Sequence, residues 1–587
     1  MWFACGSGME DTNSLVAQRR ANLATLEAKG IHPFRNKFTP DSGCGEAREK
    51  FEKGELAEGH PVAIAGRITA HRDMGKSQFV DLRDVTGRIQ VYAQKAALGD
   101  EAFENFRCLD LADFVGARGT LFRTRTGEPS LKLESFTVLG KALRPPPAKW
   151  EGLADTEIRY RQRYLDLMSN EDVKRTFLLR SAVIREIRSF FHERGYVEVE
   201  TPMMQAIPGG AAAQPFKTFH NALGCEFYLR IALELYLKRL LVGGIDKVFE
   251  IGRNFRNEGL SRRHNPEFTM LEAYEAYGDY ATMMETVESV IVRVCRLVNR
   301  DKPLPEQLLI WHDKRREVQQ WVMHALLLLQ GKLGPRLTVD PLAPEEWQAL
   351  GNLKDRISGP ESAAEADKIL VSAISKLDPN VHQETLQGLG TIRSQLARLS
   401  IPVVIDLTRP WRRVRYKDLI QDVAGADWFE VTPAERRRRA IEDLKLAGDI
   451  ADGYEDFEVT GAVFEKLVEP TLIQPTFVTH LPKQLVPLAK LSPDDPTTVE
   501  VFECCINGQE ISPGYTEQND PVAQREALEH QAGGEQQKLD EDFLVALEHG
   551  MPPAGGIGIG IDRLCMMLLG QESIRDVILF PQLKPKG

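Results

Sequence analysis

Two long segments decide the fold: KVFEIGRNFRNE at residues 247–258 and EFTMLEAYEAYG at residues 267–278. Their β-rich composition and length predict two strands joined by a charged turn. A third strand is predicted late in the chain at GGIGIGID, residues 555–562. Helix-like segments separate these strands widely, so the pattern indicates an α+β domain with a largely antiparallel sheet, not a regular βαβ array.

A different pattern precedes this domain. Short period-two strands punctuated by glycine fill residues 61–143 and predict a small β-barrel, for which an OB-fold is one candidate. Residues 1–60 are predicted to form an N-terminal helix and a linker, and RPPPAKW at 144–150 is a stiff linker. The larger domain is then expected at 151–587, with a helical insertion at about 303–400.

The composition narrows the class of protein. A chain of 587 residues with 42% hydrophobic and 27% charged residues is expected to fold into several domains. It has no apolar run of the roughly 20 residues needed to span a bilayer and no visible secretory signal, so no membrane contact and a cytoplasmic location are expected. The eight cysteines are scattered without a C-x-x-C pair, so neither a zinc site of that type nor a disulfide framework is indicated.

The charge distribution bears on nucleic acid. A net charge of −11 argues against a general nucleic-acid coat. Residues 61–145 carry 13 Lys and Arg against 10 Asp and Glu, a balance that suits a polyanion-binding module.

Three common motifs are missing from the sequence. The P-loop fails because Ala70 stands where the first glycine must precede Gly75-Lys76-Ser77. The glycines at 556–560 do not match GxGxxG, and no H-E-x-x-H occurs. A P-loop enzyme, a Rossmann dehydrogenase and a zincin are therefore excluded.

Alternating glycines form the first candidate for chemistry. Gly556, Gly558 and Gly560 point to one face of a strand, where the missing side chains allow a flat ring or another backbone to approach. Arg563 follows at the start of an apolar helix and suits the phosphates of a purine nucleotide. The alternative is a tightly packed core strand.

Two charged clusters form further candidates. Arg256 and neighbouring bases crowd around Gly259, where a bidentate Arg could hold phosphate or carboxylate; the alternative is a solvated hairpin. Glu503, Glu510 and Glu517 recur every seven residues, and a bend at Gly508 or at Pro513–Gly514 could bring them together around a cation; the alternative is scattered surface glutamates.

Together these segments closely resemble the class II lysyl-tRNA synthetases. Three signature blocks occur in the family's order: RSFFHERGYVEVETPMM at 188–204, NFRNEGLSRRHNPEFTMLEAYEAYGDY at 254–280 and GIGIGIDRL at 556–564. GGAAAQPFKTFHN and YLRIALELYLKRL, which stand between the first and second blocks, are typical of the lysine branch. The resemblance covers nearly the whole chain except about 1–12 and 303–400.

The resemblance implies an N-terminal OB-fold that binds the tRNA anticodon and a catalytic domain built on an antiparallel sheet flanked by helices. It implies a lysine–tRNA ligase that forms lysyl-adenylate from ATP and lysine with Mg²⁺, and then charges the 3′ end of tRNA(Lys). It also implies a homodimer formed through the first block. The first step needs no enzyme nucleophile, because alignment and charge neutralisation suffice.

The resemblance further implies residue roles. The expected catalytic residues are Arg256, on the α-phosphate and the lysine carboxylate, and Arg563, on the γ-phosphate. ATP binding is expected from Arg256, Glu258, His264, Asn265, Phe268, Glu503, Gly560 and Arg563, with Phe268 stacking on adenine. Glu503 and Glu510 are the expected Mg²⁺ ligands. The expected lysine site is Gly210, Glu234, Arg256, Glu272, Tyr274, Tyr515 and Glu517, and the expected anticodon readers are Arg72, Phe79 and Gln90.

Three other functions are alternatives. A sister synthetase for aspartate or asparagine would need cationic or neutral side chains in place of the acidic lysine pocket. A paralogue that transfers lysine to a protein would lack the N-terminal barrel that is predicted here. An inactive RNA-binding regulator would not need the expected catalytic arginines and Mg²⁺-binding glutamates. Leu233, where a proline is expected, and Pro513, where an asparagine is common, depart from the family pattern within the lysine pocket.

Overall fold

The computed structural model describes residues 7–147, 153, 155–310, 315–333, 337, 339–355, 360–532 and 539–585. The chain divides into two compact units, one ending at Asn170 and the other beginning at Glu171. The division lies about 20 residues beyond the predicted linker at 144–150, part of which lies outside the described residues. The predicted domain boundaries stay predictions.

The first unit is a closed five-stranded barrel with helices. Its helices are α1 (Ser7–Ala28), α2 (Cys44–Glu52), α3 (Lys95–Leu98), α4 (Asp100–Arg107), α5 (Thr156–Arg161) and α6 (Arg163–Ser169). Its strands are β1 (Pro61–Asp73), β2 (Ser77–Arg83), β3 (Arg88–Gln94), β4 (Phe114–Arg123) and β5 (Pro129–Gly140). They close in the order β1-β2-β3-β5-β4, which confirms the predicted barrel. Alternate apolar residues such as Ile64, Leu82 and Val91 fill its interior.

Helix α2 was not predicted from the sequence. Cys44, Ala47 and Phe51 are buried against the barrel, in a region where we expect a linker. Only three apolar positions in nine residues show the helical spacing, and charged residues surround them. Such a short pattern is weak until the barrel provides a surface to cover.

Within the described residues, the second unit contains thirteen α-helices and thirteen β-strands. Its helices are α7 (Glu171–Glu193), α8 (Glu234–Val242), α9 (Tyr280–Val298), α10 (Arg315–Leu329), α11 (Pro344–Asp355), α12 (Pro360–Ser375), α13 (Gln383–Leu399), α14 (Tyr416–Ala424), α15 (Pro433–Glu442), α16 (Asp456–Val463), α17 (Pro521–Ala532), α18 (Glu541–Glu548) and α19 (Ile561–Leu568). Its strands are β6 (Val197–Glu198), β7 (Met204–Gln205), β8 (Lys217–His220), β9 (Cys225–Leu229), β10 (Lys247–Phe255), β11 (Glu267–Ala276), β12 (Gln307–Ile310), β13 (Val403–Asp406), β14 (Arg412–Arg415), β15 (Thr476–Thr479), β16 (Val501–Cys505), β17 (Glu510–Thr516) and β18 (Ala554–Gly560).

Eight of these strands form the main sheet. Their order is β14-β15-β16-β17-β18-β11-β10-β6, and every neighbouring pair is antiparallel except β14–β15 and β10–β6 at the two ends. The predicted antiparallel α+β architecture is therefore confirmed. Helices α7, α9 and α19 contribute to a large apolar core on the sheet, with Phe191, Val290 and Ile559 at its centre. Strand β11 alternates Leu271 and Ala273 of this core with the polar residues Glu272 and Tyr274 on the other face.

The segment predicted as an insertion is helical where it is described. Helices α10–α13 have an apolar core of their own, which includes Val322, Leu350, Leu370 and Leu389. The two-stranded sheet β12–β13 pairs the chain at either end of these helices. A separate core explains why the sequence here shows helical composition without the strand pattern of the main sheet. Its status as an insertion stays a prediction.

Across the described ranges, no helix combines the length and apolar character that crossing a membrane requires.

Candidate active site

One carboxylate joins helix α7 to the second and third signature segments. Asp562, at the start of α19, accepts a hydrogen bond from the Thr269 backbone N–H of β11 at 2.7 Å. Its other oxygen accepts from the Arg180 guanidinium of α7 at 2.6 Å. Asp562 is buried, so both contacts are shielded from water. This carboxylate ties α7, whose last residues begin the first block, to the second and third blocks.

A cleft of about 300 Å³ opens beside this junction. It is lined by residues of the β10–β11 turn, β11, β17 and the start of α19: Arg256, Glu258, Gly259, Arg263, His264, Asn265, Pro266, Phe268, Thr269, Met270, Glu510, Ile511, Pro513, Gly560, Asp562, Arg563 and Ile574. All of the expected ATP-binding residues except Glu503 are in this set. The structure therefore brings them together, while their role in ATP binding stays a prediction.

Two arginines stand in the cleft. The Arg256 guanidinium lies 5.3 Å from the centre of the Phe268 ring, and Nε donates to the Ile231 carbonyl at 3.4 Å. Arg563 Nη1 donates to the backbone carbonyl of Glu510 at 3.2 Å. These contacts leave further guanidinium N–H groups that can bind an anion, because each guanidinium has five.

His264 supports Arg563. Arg563 Nη2 donates to His264 Nε2 at 3.0 Å, so the proton of a neutral imidazole is on Nδ1, facing the Ser261 hydroxyl at 2.8 Å. Burial and the nearby Arg563 charge lower the pKa of His264, which favours this neutral form.

The next residue, Asn265, is buried. Its side-chain amide nitrogen donates to the Glu267 carbonyl at 2.6 Å, while its side-chain oxygen has no hydrogen-bond partner.

The glycine strand differs from the sequence interpretation. Gly556, Gly558 and Gly560 pair with Tyr274, Glu272 and Met270 of β11. A Cβ at Gly556 would lie 2.0 Å from Glu517 Oε1, and one at Gly558 would lie 2.6 Å from Met270 Cε. The protein's own side chains cover these two positions, so the expectation that all three glycines face a flat ligand is wrong for them. At Gly560 the nearest atom is 3.8 Å away, and this glycine lines the cleft.

The expected lysine-binding residues form a second cluster along the same strands. Glu272 is buried and accepts from the Tyr274 hydroxyl at 3.0 Å. It also accepts from the Leu233 backbone N–H at 3.2 Å. A proline at this position could not donate that bond, so the departure at Leu233 adds a donor to Glu272. Burial and the Glu234 charge raise the pKa of Glu272 to about 7.

The other members of this cluster are also buried. Glu234, at the start of α8, accepts from the Tyr515 hydroxyl at 2.6 Å. Glu517 follows β17, and burial raises its pKa to about 8. Its Oε1 has no hydrogen-bond partner. Gly210 lies against Glu234, since a Cβ there would be 3.4 Å from the Glu234 Cβ.

Lys238 is the residue of this cluster that our sequence analysis missed. Its Nζ lies 2.7 Å from Glu234 Oε1 and 2.5 Å from Glu517 Oε2, and the side chain is fully buried. The signal was present, because Lys238 follows Glu234 by four residues and so shares its face of a helix. We call Glu234, Glu272, Glu517, Tyr274, Tyr515 and Lys238 the acidic pocket.

Glu503 and Glu510 lie on neighbouring strands. The chain turns at Asn507–Gly508, one of the two bends that the sequence suggests, and Glu503 lies opposite Pro513 on β17. The prediction that this bend brings all three glutamates together is wrong for Glu517. Burial raises the pKa of Glu503 to about 8, with further contributions from the Glu510 and Glu469 charges. Glu517 lies apart in the acidic pocket. In the described part of the chain, no group of three or more His, Cys, Asp or Glu residues has the arrangement of a metal site.

The expected anticodon readers share one face of the barrel in the first unit. Arg72 is paired with Phe79 across β1–β2, and Phe79 with Tyr92 across β2–β3. The Phe79 and Tyr92 rings stack with centres 4.8 Å apart. Gln90 stands two residues from Tyr92, on the same face. Tyr92 is a further aromatic residue that sequence analysis missed, although its period-two spacing from Gln90 was visible.

The sequence matches the family described as "tRNA synthetases class II (D, K and N)" over residues 155–327 and 361–584. Residues 62–139 match the "OB-fold nucleic acid binding domain" family. Together with the barrel and the antiparallel sheet, these matches show that the chain belongs to the class II tRNA synthetases. It is an aminoacyl-tRNA synthetase, and the OB-fold expectation is confirmed.

Curated relatives cover almost the whole chain. "Lysine–tRNA ligase" of Pelotomaculum thermopropionicum is 41% identical over 583 residues, covering 98% of this chain and 96% of the relative. The protein of the same name from Moorella thermoacetica is 41% identical over 584 residues, covering 98% and 99%. "Lysine–tRNA ligase" of Staphylococcus aureus is 39% identical over 589 residues, covering 98% and 100%.

The contact at Gly556 leads to a prediction. In Gly556→Ala the new methyl group would lie 2.0 Å from Glu517 Oε1 and 2.6 Å from the Tyr274 ring, so one of these side chains must move. We expect amino-acid-dependent ATP–pyrophosphate exchange to fall by roughly tenfold or more, since displaced polar groups lose their alignment. Gly461→Ala, which meets no atom within 4 Å, is the matched control. Equal exchange rates in the two variants would contradict this account of the pocket.

Proposed function

We propose that the chain is a lysine–tRNA ligase. The observation that supports this most directly is the acidic pocket, in which three buried carboxylates lie beside a cleft that holds two arginines. A buried carboxylate needs a cationic partner, and the lysine side chain carries one. The names of the relatives agree with this substrate.

In this proposal the lysine side chain enters the acidic pocket. Glu517 Oε1, buried and without a hydrogen-bond partner, is available to accept from the substrate ammonium. Glu234 and Glu272 supply further negative charge, and the hydroxyls of Tyr274 and Tyr515 hold these two carboxylates in place. Gly210 closes the pocket against α8. Aspartate would meet like charge here, which disfavours a sister synthetase for that amino acid.

The cleft would bind ATP. Arg256 lines the cleft, and the charges of Glu272 in the acidic pocket and of Glu510 in the cleft both act on it. That position suits a residue that holds both the lysine carboxylate and the α-phosphate. Arg563, supported by His264 and the Glu510 carbonyl, would hold the γ-phosphate. Phe268 would stack on adenine, with Glu258, Asn265 and Gly560 around the nucleotide.

The reaction has two steps, and each step forms one bond and breaks another. A lysine carboxylate oxygen attacks the α-phosphorus of ATP, and the bond to pyrophosphate breaks. The 3′-terminal hydroxyl of tRNA(Lys) then attacks the carbonyl of lysyl-adenylate, and AMP leaves. The arginines supply alignment and positive charge where negative charge develops, so no covalent intermediate on the protein is needed.

Glu503 and Glu510 would hold Mg²⁺. Their carboxylates are hard oxygen donors of the kind that Mg²⁺ takes. Burial, followed by the Glu510 and Glu469 charges, raises the pKa of Glu503, and a bound cation would favour its ionised form. When bound, Mg²⁺ screens charge on phosphate oxygens. Burial also raises the pKa of Glu469. The Glu469 carboxylate accepts a hydrogen bond from the Glu510 backbone N–H at 2.9 Å and so keeps the start of β17 in position.

The barrel would read the anticodon of tRNA(Lys). Phe79 could stack on an unpaired base, and Arg72 and Gln90 could bind its edge. Tyr92 supports Phe79 from within the same face.

We further propose a cytoplasmic homodimer that forms through the first signature block. Three large apolar side chains of this block, Val197, Met203 and Met204, are exposed in the single chain.

The direct test is ATP–pyrophosphate exchange with each of the twenty amino acids, followed by charging of tRNA(Lys). We expect exchange with lysine alone. Exchange with aspartate or asparagine would assign a sister activity. The absence of exchange with every amino acid would favour a regulator and overturn the proposal.

The pocket also predicts a pH dependence. Glu272 and Glu517 have raised pKa values of about 7 and about 8 in the empty pocket, so they lose protons as the pH rises through this range. The substrate ammonium stays charged until about pH 10. The KM for lysine should therefore fall by roughly tenfold between about pH 6 and about pH 8.5. A KM that is constant or rises over this range in steady-state exchange assays would argue against carboxylate recognition.

The barrel face predicts a separation of the two steps. Phe79→Ala should lower the rate of tRNA(Lys) charging by roughly tenfold, because stacking on a base contributes about 1–3 kcal/mol. Lysine-dependent exchange should be unchanged, since that step requires no tRNA. Phe114→Ala, which removes an exposed aromatic ring from another strand of the barrel, is the matched control. If exchange and charging fell together, the anticodon role of this face would be wrong.

A further inference from the structure

Lys238 places a cation of the protein's own inside the acidic pocket. It lies on α8, four residues after Glu234, and its side chain is completely buried. Its Nζ contacts Glu234 Oε1 at 2.7 Å and Glu517 Oε2 at 2.5 Å. The Leu488 carbonyl accepts a third contact at 3.4 Å, and the Tyr515 ring lies 5.5 Å away.

This cation joins elements that are far apart in sequence. Glu234 belongs to α8, whereas Glu517 follows β17. The Tyr515 hydroxyl of β17 also binds Glu234, but Lys238 contacts both carboxylates directly. The short contacts with both hold the two carboxylates at a fixed separation. Glu517 keeps its other oxygen, Oε1, free of any hydrogen bond.

The charges around Lys238 explain why the pocket needs it. The charged or titratable groups facing this site are Glu234, Glu272, Glu517, Tyr274, Tyr515 and, towards the cleft, Arg256. Three neighbouring carboxylates in a buried site repel one another and take up protons unless a cation is present. A protonated carboxyl group binds an ammonium far less well than a carboxylate does.

We propose that Lys238 is a positioning residue for the amino-acid substrate: its ammonium holds the Glu234 and Glu517 carboxylates in place and favours the ionised form of Glu517 before the substrate ammonium arrives. Lys238 acts on the carboxylates and makes no contact with the substrate. This inference rests on the proposed function. Burial works against the Lys238 ammonium, but the Glu234 and Glu517 charges outweigh it and raise its pKa, so it stays charged throughout the pH range of the assay.

The test compares the pH profile of the lysine KM in the full-length wild type and in Lys238→Met. Without the cation, Glu517 should bind its proton more tightly, so the midpoint of the profile should move up by about one pH unit or more. The lysine KM near pH 7 should rise by roughly tenfold or more, and the difference should narrow near pH 9. The KM for ATP should stay within about twofold of the wild type.

Two variants make the result specific. Arg239→Met removes a cation from the next position of α8, where it pairs with Asp540 at 2.9 Å outside the pocket, and should leave the midpoint unchanged. Lys238→Arg keeps the charge and should keep the midpoint within about 0.3 unit of the wild type. A full upward shift in Lys238→Arg would overturn the proposal, even if Lys238→Met failed to fold.

Other outcomes also decide the matter. An equal loss at every pH, or a parallel rise in the ATP KM, would mean that Lys238 only fills space, and the proposal would fail. A lower lysine KM in Lys238→Met would mean that Lys238 competes with the substrate, which also contradicts it. Each of these results leaves lysine-dependent exchange by the wild type intact, so failure here is distinct from failure of the proposed function.

Discussion

The arrangement of the catalytic unit depends on the Asp562 carboxylate. It holds the Thr269 backbone of β11 with one oxygen and the Arg180 guanidinium of α7 with the other. Because Arg563 is the next residue, this anchor also fixes where its guanidinium enters the cleft. A buried carboxylate with charged and backbone donors has few alternative positions, so the contact defines one arrangement of helix, strand and arginine.

Uncompensated negative charge links the two halves of the candidate site. Glu272, Glu503 and Glu517 all have raised pKa values because burial disfavours their ionised forms. Arg256, whose own pKa burial lowers, lies within the influence of both groups of carboxylates. In the proposed function, such a site takes a cationic substrate and metal-bound phosphates, which would bring the charge that the protein leaves out. Its chemistry is then one of alignment and electrostatics.

The glycine strand shows where sequence reasoning was right and where it was wrong. Alternation correctly predicted that Gly556, Gly558 and Gly560 share a face. It could not show that Glu517 and Met270 would cover two of them, because these side chains come from neighbouring strands. Helix α2 was missed for a related reason, since its three apolar residues are informative only once the barrel stands beside them.

The sequence by itself determined the long strands, the barrel, the charged turn around Arg256 and the family to which the chain belongs. These follow from local periodicity and from motifs whose residues are close together. Only the tertiary structure decided which glutamates share a pocket: Glu517 joins Glu234 and Lys238, while Glu503 lies opposite Pro513 on β17, the strand that begins at Glu510. The physical reason is that ion pairs and buried charges depend on distances in space, and those distances are set by strand register and helix packing.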